Sequence, residues 1–148
     1  LITVEMIDSK EQLQQAFEIR EKVFVAEQGV PLEDEFDEYD RLDGRCRHLL
    51  VYWEGQPAAT GRIREASGYG KLERICVLQP FRNYGLGKSV VAALEDAARL
   101  QEWRQLKLHG QTHAEGFYRK LGYSVASPEF MEDGIPHYIM TKELSGAR

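Results

Sequence analysis

Ile2, Val4 and Met6 alternate with Thr3 and Glu5 at the start of the chain, the period of a half-buried strand. Ser9, with Gln12 three residues on, has the spacing of a capping box, and Leu13, Ala16, Phe17, Val23 and Phe24 follow on a helical period. This pattern predicts a helix over 10–26. The stretch 29–43 holds Pro31 and the acidic run Glu33, Asp34, Glu35, Asp37, Glu38 and Asp40, and reads as a loop with room for a short helical turn. Two strands over 46–53 and 57–65, joined by Glu54-Gly55-Gln56, have the spacing of an antiparallel hairpin. After Gly68 and Gly70 comes a β-prone run, KLERICVL, whose alternation fails because Leu72 and Ile75 are three apart; a bulge accommodates this. A second helix over 84–102 carries Leu86, Val90, Leu94, Ala97 and Leu100 on one face. A short strand at Leu106 and Leu108, a helix over 112–121 and a strand over 136–143 complete the chain. Thr112 and Glu115 form a second capping-box pattern, and Gly122 is placed to stop that helix. The order predicts a mixed α/β domain whose later half alternates as parallel crossovers do.

A length of 148 residues is that of one domain, and 43% hydrophobic with 29% charged residues is a globular rather than a disordered composition. Nineteen Lys and Arg against 24 Asp and Glu give a net charge of -5, which argues against a broad cationic face for nucleic acid. The surplus is local. The run from Glu33 to Asp40 holds six acidic residues and no basic one, so the rest of the chain is nearly neutral. Two cysteines, Cys46 and Cys76, are too few for a disulfide framework and fit a reducing, cytoplasmic setting. No apolar run approaches the ~20 residues of a membrane span, and the start LITVEMIDSK lacks the features of a signal peptide. A soluble protein without membrane partners is expected. The acidic run lacks the EF-hand spacing, and no His and Cys spacing suggests zinc, so no metal is expected.

The most informative stretch is VLQPFRNYGLGKS, where a strand gives way through Arg82, Asn83, Tyr84, Gly85, Leu86 and Gly87 to a helix. Glycines let the backbone approach a ligand closely, and the free N–H groups and dipole of a helix start favour phosphate oxygens. Gly87-Lys88-Ser89 ends like a Walker A loop, but the required earlier glycine is Arg82; a dinucleotide fingerprint would need glycine at Val90. Both readings fail.

The remaining pattern, R-x-x-G-x-G after an apolar strand, resembles the pyrophosphate-binding loop of the GNAT superfamily of N-acetyltransferases. A second family signature follows the long helix as Ala114, Phe117, Tyr118, Lys120, Leu121, Gly122 and Tyr123. The N-terminal EIREKVFVAEQGVP, the acidic residues after it and HLLV look like a bacterial branch of the superfamily whose substrates are mostly unassigned. The resemblance covers nearly the whole chain. It implies an α/β fold with a mixed central sheet of about six to seven strands flanked by about four helices. The implied reaction is direct attack of a neutral primary amine, on a small molecule or as an exposed amino group, on the thioester of acetyl-CoA.

By the same resemblance, Ile75, Cys76 and Val77 present backbone groups to the pantetheine arm and polarise the thioester carbonyl. Arg82, Asn83, Tyr84, Gly85, Leu86, Gly87 and Lys88 wrap the pyrophosphate, Phe117 belongs to the cofactor site, and Tyr118 gives a proton to the departing thiolate. Where the family usually has Asn, seven residues before that tyrosine, this chain has Gln111. Cys76 itself reads as a small buried hydrophobe rather than a nucleophile. Glu73 lies near where some members place a base, and a carboxylate beside Ile75 could have a raised pKa; an exposed strand glutamate is the equal alternative. His48, then His109 and His113, are further candidates for the base. Tyr118, with Phe117 and Leu121, would read as core by helical spacing alone. The acidic run is either a solvated loop or an attractor for a cationic acceptor. Two other functions remain open: an acyl-CoA sensor without turnover, and transfer of a longer acyl chain. The acceptor pocket falls to residues 20–45 and 125–137, which identify no substrate, and a homodimer is left open.

Overall fold

The computed structural model describes residues 1–145. Strand β1 (Ile2–Met6) leads to helix α1 (Lys10–Arg20), whose N-terminus carries both halves of the Ser9–Gln12 capping box. The helix does not run on as α to residue 26. It passes without a break into a π-helical segment, Glu21–Glu27, closed by the Gln28 amide donating to the Val23 carbonyl at 3.1 Å. A four-residue helix, α2 (Leu32–Glu35), lies within the acidic stretch. Strands β2 (Cys46–Trp53), β3 (Gln56–Ala66) and β4 (Tyr69–Val77) form an antiparallel meander, and helix α3 (Leu86–Leu100) crosses over to strand β5 (Gln105–Gln111). Helix α4 (Glu115–Lys120), strands β6 (Ser124–Val125) and β7 (Phe130–Glu132) and strand β8 (Ile135–Glu143) follow.

The sheet has eight strands in the order β1-β2-β3-β4-β5-β8-β6, with β7 paired to β8. That is slightly more than expected, because β6 and β7 are too short to register as alternation. Among the described pairings only β4–β5 is parallel. The second crossover anticipated in the later half is absent: β8 runs antiparallel to β5. The reason is a tight hairpin. Asp133 and Gly134, with φ of 53° and 74°, reverse the chain between β7 and β8, as an Asp-Gly pair does in a two-residue turn. The second capping box is also absent. Ala114 stands at the N-cap of α4, after a 3₁₀ turn over Thr112–Ala114, and the Thr112 hydroxyl donates instead to Glu129 at 2.7 Å. Gly122 does end α4, with φ of 99° and its amide bonded to the Arg119 carbonyl.

Successive strand residues point to opposite faces, and the core divides accordingly. Leu49, Val51, Ile63, Leu72, Leu106 and Leu108 bury one face against Val90, Leu94 and Ala98 of α3. Leu50 and Cys76 bury the other against Ala16 and Ile19 of α1 and Val23 of the π segment. The bulge expected in β4 is present: Thr60 pairs Cys76 and Arg62 pairs Glu73, so Arg74 and Ile75 together face Gly61. Arg74 has a left-handed φ of 58°. Opposite it, Gly61 lets α3 lie close, since a Cβ there would stand 2.6 Å from Val90 Cγ1 and 3.2 Å from Leu94 Cδ1. Replacing Gly61 by alanine is therefore expected to overpack this seam and lower stability by about 1–3 kcal/mol. Urea unfolding should show a lower midpoint with an unchanged slope; an unchanged midpoint would show that α3 withdraws freely.

Candidate functional site

Strands β4 and β5 pair over Gly70–Leu72 and Leu106–Leu108 only. Beyond that point β4 stays with β3 through Cys76 and Val77, while β5 stays with β8 through His109, Gly110 and Gln111. Two neighbouring strands thus separate inside the sheet. The gap widens into a cavity of about 980 Å³, lined on the β4 side by Ile75, Cys76 and Val77 and on the β5 side by Leu108, His109 and Gln111. Backbone groups of β4 that face the gap have no strand to bond there, so they are available to a ligand.

At one end the cavity reaches the glycine loop. Arg82, Asn83, Gly85, Leu86, Gly87 and Lys88 line it. Gly85, with φ of 82°, is the N-cap of α3, and no side chain caps the helix. Its first N–H groups and the positive end of its dipole therefore suit an anion. Gly87 lies against Phe117, 3.2 Å from where a Cβ would be. Arg82 donates to the Val77 carbonyl at 3.0 Å and to Glu27 at 2.8 Å, which fixes the loop to the end of β4 and to the π segment. Leu86 is core and can offer only backbone. Tyr84 is not among the lining residues: it is 54% exposed and stacked on Trp53, with ring centroids 4.8 Å apart.

Tyr118 lies where the strands part. It is 8% exposed, held edge-on by Phe117 and Tyr123, and its ring occupies the space above Gly110, where a Cβ would stand 3.2 Å from it. Burial pushes its phenol well above the ordinary value, so the group keeps its proton. The Cys76 thiol is likewise driven up by burial, which agrees with a packing role and leaves little thiolate. Gln111 exchanges amide hydrogen bonds of 3.2 and 2.8 Å with Gln28, bridging the end of β5 to the residue just after the π segment.

Two candidates for the base are placed differently from expectation. Burial alone would raise the pKa of Glu73, but hydrogen bonding from Arg64 and the charges of Arg62 and Lys71 outweigh it and hold the carboxyl at about 2. Arg62, Arg64 and Lys71 approach it at 2.9, 3.0 and 3.1 Å. The raised value anticipated from its neighbour Ile75 is thus reversed. His48 is buried under the acidic loop, with Nε2 3.0 Å from the Tyr39 carbonyl, and does not line the cavity. Burial lowers its pKa further.

The acidic run is neither a solvated loop nor a free electrostatic lure. Glu35 and Asp40 turn inward, Asp37 is paired but keeps 33% of its side-chain exposure, and Glu33, Asp34 and Glu38 face solvent. Arg20, 1% exposed, binds Glu35 at 3.0 Å and Asp40 at 2.6 Å; Arg62, equally buried, binds Asp37, Asp40 and Glu73 at 2.8 to 2.9 Å. Arg74, from the bulge, adds Glu35 at 3.3 Å and Asp37 at 3.6 Å. Spacing along the chain gave no sign of these partners, which lie 11 to 39 residues apart. The other residues missed are Glu132 and His137, which line the cavity from the β7–β8 hairpin. Their signal was present in the Asp133-Gly134 dipeptide between them.

A mixed sheet that opens between two parallel strands onto a glycine turn and an uncapped helix start, with a buried tyrosine at the fork, is the architecture of acyl-CoA N-acyltransferases. The family model for the acetyltransferase (GNAT) domain matches residues 8–144, and the chain belongs to that family. It is 52% identical over 144 residues to the protein YyaT of Bacillus subtilis (strain 168), covering 97% of each chain. Among solved structures it resembles Escherichia coli ElaA, with a TM-score of 0.85 and 27% identity over 97% of this chain and all of that one. The fold is shared with the PaiA N-acetyltransferase of Thermoplasma acidophilum, solved with coenzyme A: TM-score 0.73, 16% identity, 97% of this chain and 99% of that one.

The carboxylate clamp makes a pH prediction. Glu73 and Asp37 are each held at about 2 in the fold, against ordinary values of 4.5 and 3.8. Their contribution to stability is complete above the ordinary values and is lost as pH falls toward about 2, because the unfolded chain takes up these protons first. Glu35, raised by burial, works in the opposite sense and offsets part of the loss. Urea titrations should show unfolding free energy declining across that acid window, with a shallower decline in Glu73→Gln. An equal slope in the two proteins would mean that Glu73 titrates alike in the folded and unfolded states.

Proposed function

We propose that the protein transfers the acetyl group of acetyl-CoA to a primary amine of a small molecule or to an exposed amino group. The observation that carries this reading is the fork of β4 and β5, with the Gly85 turn at one end and Tyr118 at its vertex. In this reading the pyrophosphate lies on the backbone of Arg82 to Lys88 at the start of α3, where unpaired N–H groups meet negative charge. The pantetheine arm extends β4 as an added strand along Ile75, Cys76 and Val77, and their main-chain N–H groups hold the thioester carbonyl and the oxyanion that develops on it. Gln111 and Gln28 wall the cleft beside the arm, and Phe117 covers Gly87. Tyr118, kept protonated by burial, gives its proton to the departing thiolate. Cys76 takes no covalent part, so the amine attacks the thioester directly, and the enzyme gains chiefly from holding the two reactants together. Glu73 holds Arg62, Arg64 and Lys71 in place and is a poor proton acceptor at about 2.

Calorimetry with acetyl-CoA tests binding: saturable uptake is expected, weakened at least tenfold in Gly85→Asp and Arg82→Ala. A screen of amines read by thiol release tests turnover. Tyr118→Phe should lower kcat by about a hundredfold while leaving acetyl-CoA affinity nearly intact. Tight binding without thiol release from any amine would instead mark a sensor, and preference for longer acyl-CoAs in competition would replace acetyl by a longer chain.

A further inference from the structure

Removal of a proton from the attacking amine still needs a group in the cleft, and the carboxylates nearest β4 are taken: Glu73 by Arg62, Arg64 and Lys71, Glu35 by Arg20 and Arg74, and Asp37 by Arg62 and Arg74. The opposite wall differs. Glu73 and His109 are the first residues past the last β4–β5 pair, Leu72 with Leu108, and by alternation both lie on the α1 face. His109 lines the cavity and its side chain keeps 24% of its exposure. Its Nδ1 lies 2.8 Å from Glu132 Oε1, and Phe130 packs edge-on against the ring at 5.3 Å. A carboxylate on Nδ1 fixes the tautomer with the proton there and leaves Nε2 as the free lone pair, while stabilising the imidazolium that forms on protonation. Among the described residues, no hydrogen-bond partner occupies Nε2. The Ile135 carbonyl likewise orients His137 through Nδ1, at 2.7 Å, but that residue is buried and its Nε2 faces the Glu132 carboxylate at 3.9 Å rather than standing free. His113 also lines the cavity, at its exposed rim, but its Nε2 is occupied by the Gln111 amide oxygen at 2.6 Å.

We propose that His109 is the base of the reaction and Glu132 its positioning residue, so that the proton acceptor stands on β5 across the cleft from Glu73. The proposal rests on the acetyl transfer set out above. The amine nitrogen forms a bond to the acetyl carbon and loses one proton to His109 Nε2. The carbon–sulfur bond breaks, its electron pair leaves on sulfur, and Tyr118 supplies that sulfur with a proton. Amide and free thiol result, and the two side chains recover their starting states by exchanging the proton through solvent.

The test uses an acceptor found by the thiol-release screen. His109→Gln should lower kcat by about a hundredfold or more at neutral pH with acetyl-CoA affinity unchanged. The loss should shrink at alkaline pH, where hydroxide can take the proton that His109 otherwise accepts. The charged groups that can shape this profile are Glu132 and His137 on the hairpin, Lys71 and Glu73 on β4, and Lys107 on its own strand. Glu132→Gln should lower kcat less than His109→Gln does, with acetyl-CoA affinity unchanged, and Glu132→Asp should recover part of the rate; no recovery with the shorter carboxylate would overturn the positioning role. Should His109→Gln bind acetyl-CoA poorly, His109→Ala with added imidazole decides the matter, recovery of rate in proportion to imidazole being expected. A kcat within threefold of the parent protein across pH, or no recovery with imidazole, overturns the assignment of His109 while leaving acetyl transfer intact. Failure of the parent protein to release thiol with any amine would overturn both.

Discussion

Three residues of parallel pairing, and no more, join the two halves of the sheet, and the site depends on that limit. Had β4 continued beside β5, the carbonyls and amides of Ile75 to Val77 would have been consumed in a ladder. The extra residue at Arg74 and Ile75 turns β4 aside, so a pair of internal strand edges faces each other across open space. An edge of this kind is ordinarily a liability for a sheet. Here it is enclosed by the π segment, the glycine loop and the β7–β8 hairpin, which restrict what can add to it. Gly61 belongs to the same constraint, because it faces the bulge on β3 and admits α3 to the other side of the sheet.

The bulge needs a non-glycine residue with positive φ, a conformation that costs free energy unless its surroundings hold it. Arg74 is held by Glu35 and Asp37, and those carboxylates are in turn held by Arg20 and Arg62. Charges removed from water are stable only when each is paired, so the cluster behaves as a unit rather than as separate salt bridges. Tyr39 closes it with its ring 4.2 Å from the Arg64 guanidinium. The acidic segment is therefore a wall of the cleft, fastened at three carboxylates. Glu33, Asp34 and Glu38 face solvent outside the cluster, and the arginine pairing of the other three leaves the loop less attraction for a cationic acceptor than its composition suggests.

Local signals in the chain were accurate where the physics is local. The Ser9 cap, the β2–β3 hairpin, the broken alternation in β4 and the glycine after α4 each depend on residues within a few positions of one another. Thr112 shows the limit of such signals: its hydroxyl had the right spacing for a cap, yet Glu129, 17 residues on, is the partner it meets. The glycine loop and Tyr118 were legible because one strand–turn–helix unit and one helix carry them. Glu73 was misjudged because its pKa is set by Arg62 and Arg64, which reach it through β3–β4 pairing. His48 was misplaced for a similar reason, since only the folded loop puts Tyr39 over it. Residue types suggested candidate chemistry; the long-range pairings decided which groups remained free to perform it.

Strand β5 shows how one short segment can hold both ends of the proposed proton path. His109 and Gly110 are consecutive, so one presents a side chain to the α1 face and the other leaves room on the α3 face, where the Tyr118 ring lies. Any larger residue at 110 would meet that ring, while a residue at 109 meets the hairpin and Glu132. The alternation thus separates the two groups across the sheet while keeping them adjacent at the fork. Burial favours the neutral phenol on one side, and on the other the imidazole keeps part of its exposure beside a carboxylate partner. A donor and an acceptor kept apart in this way cannot neutralise each other directly, so a ligand threaded through the fork is what would connect them.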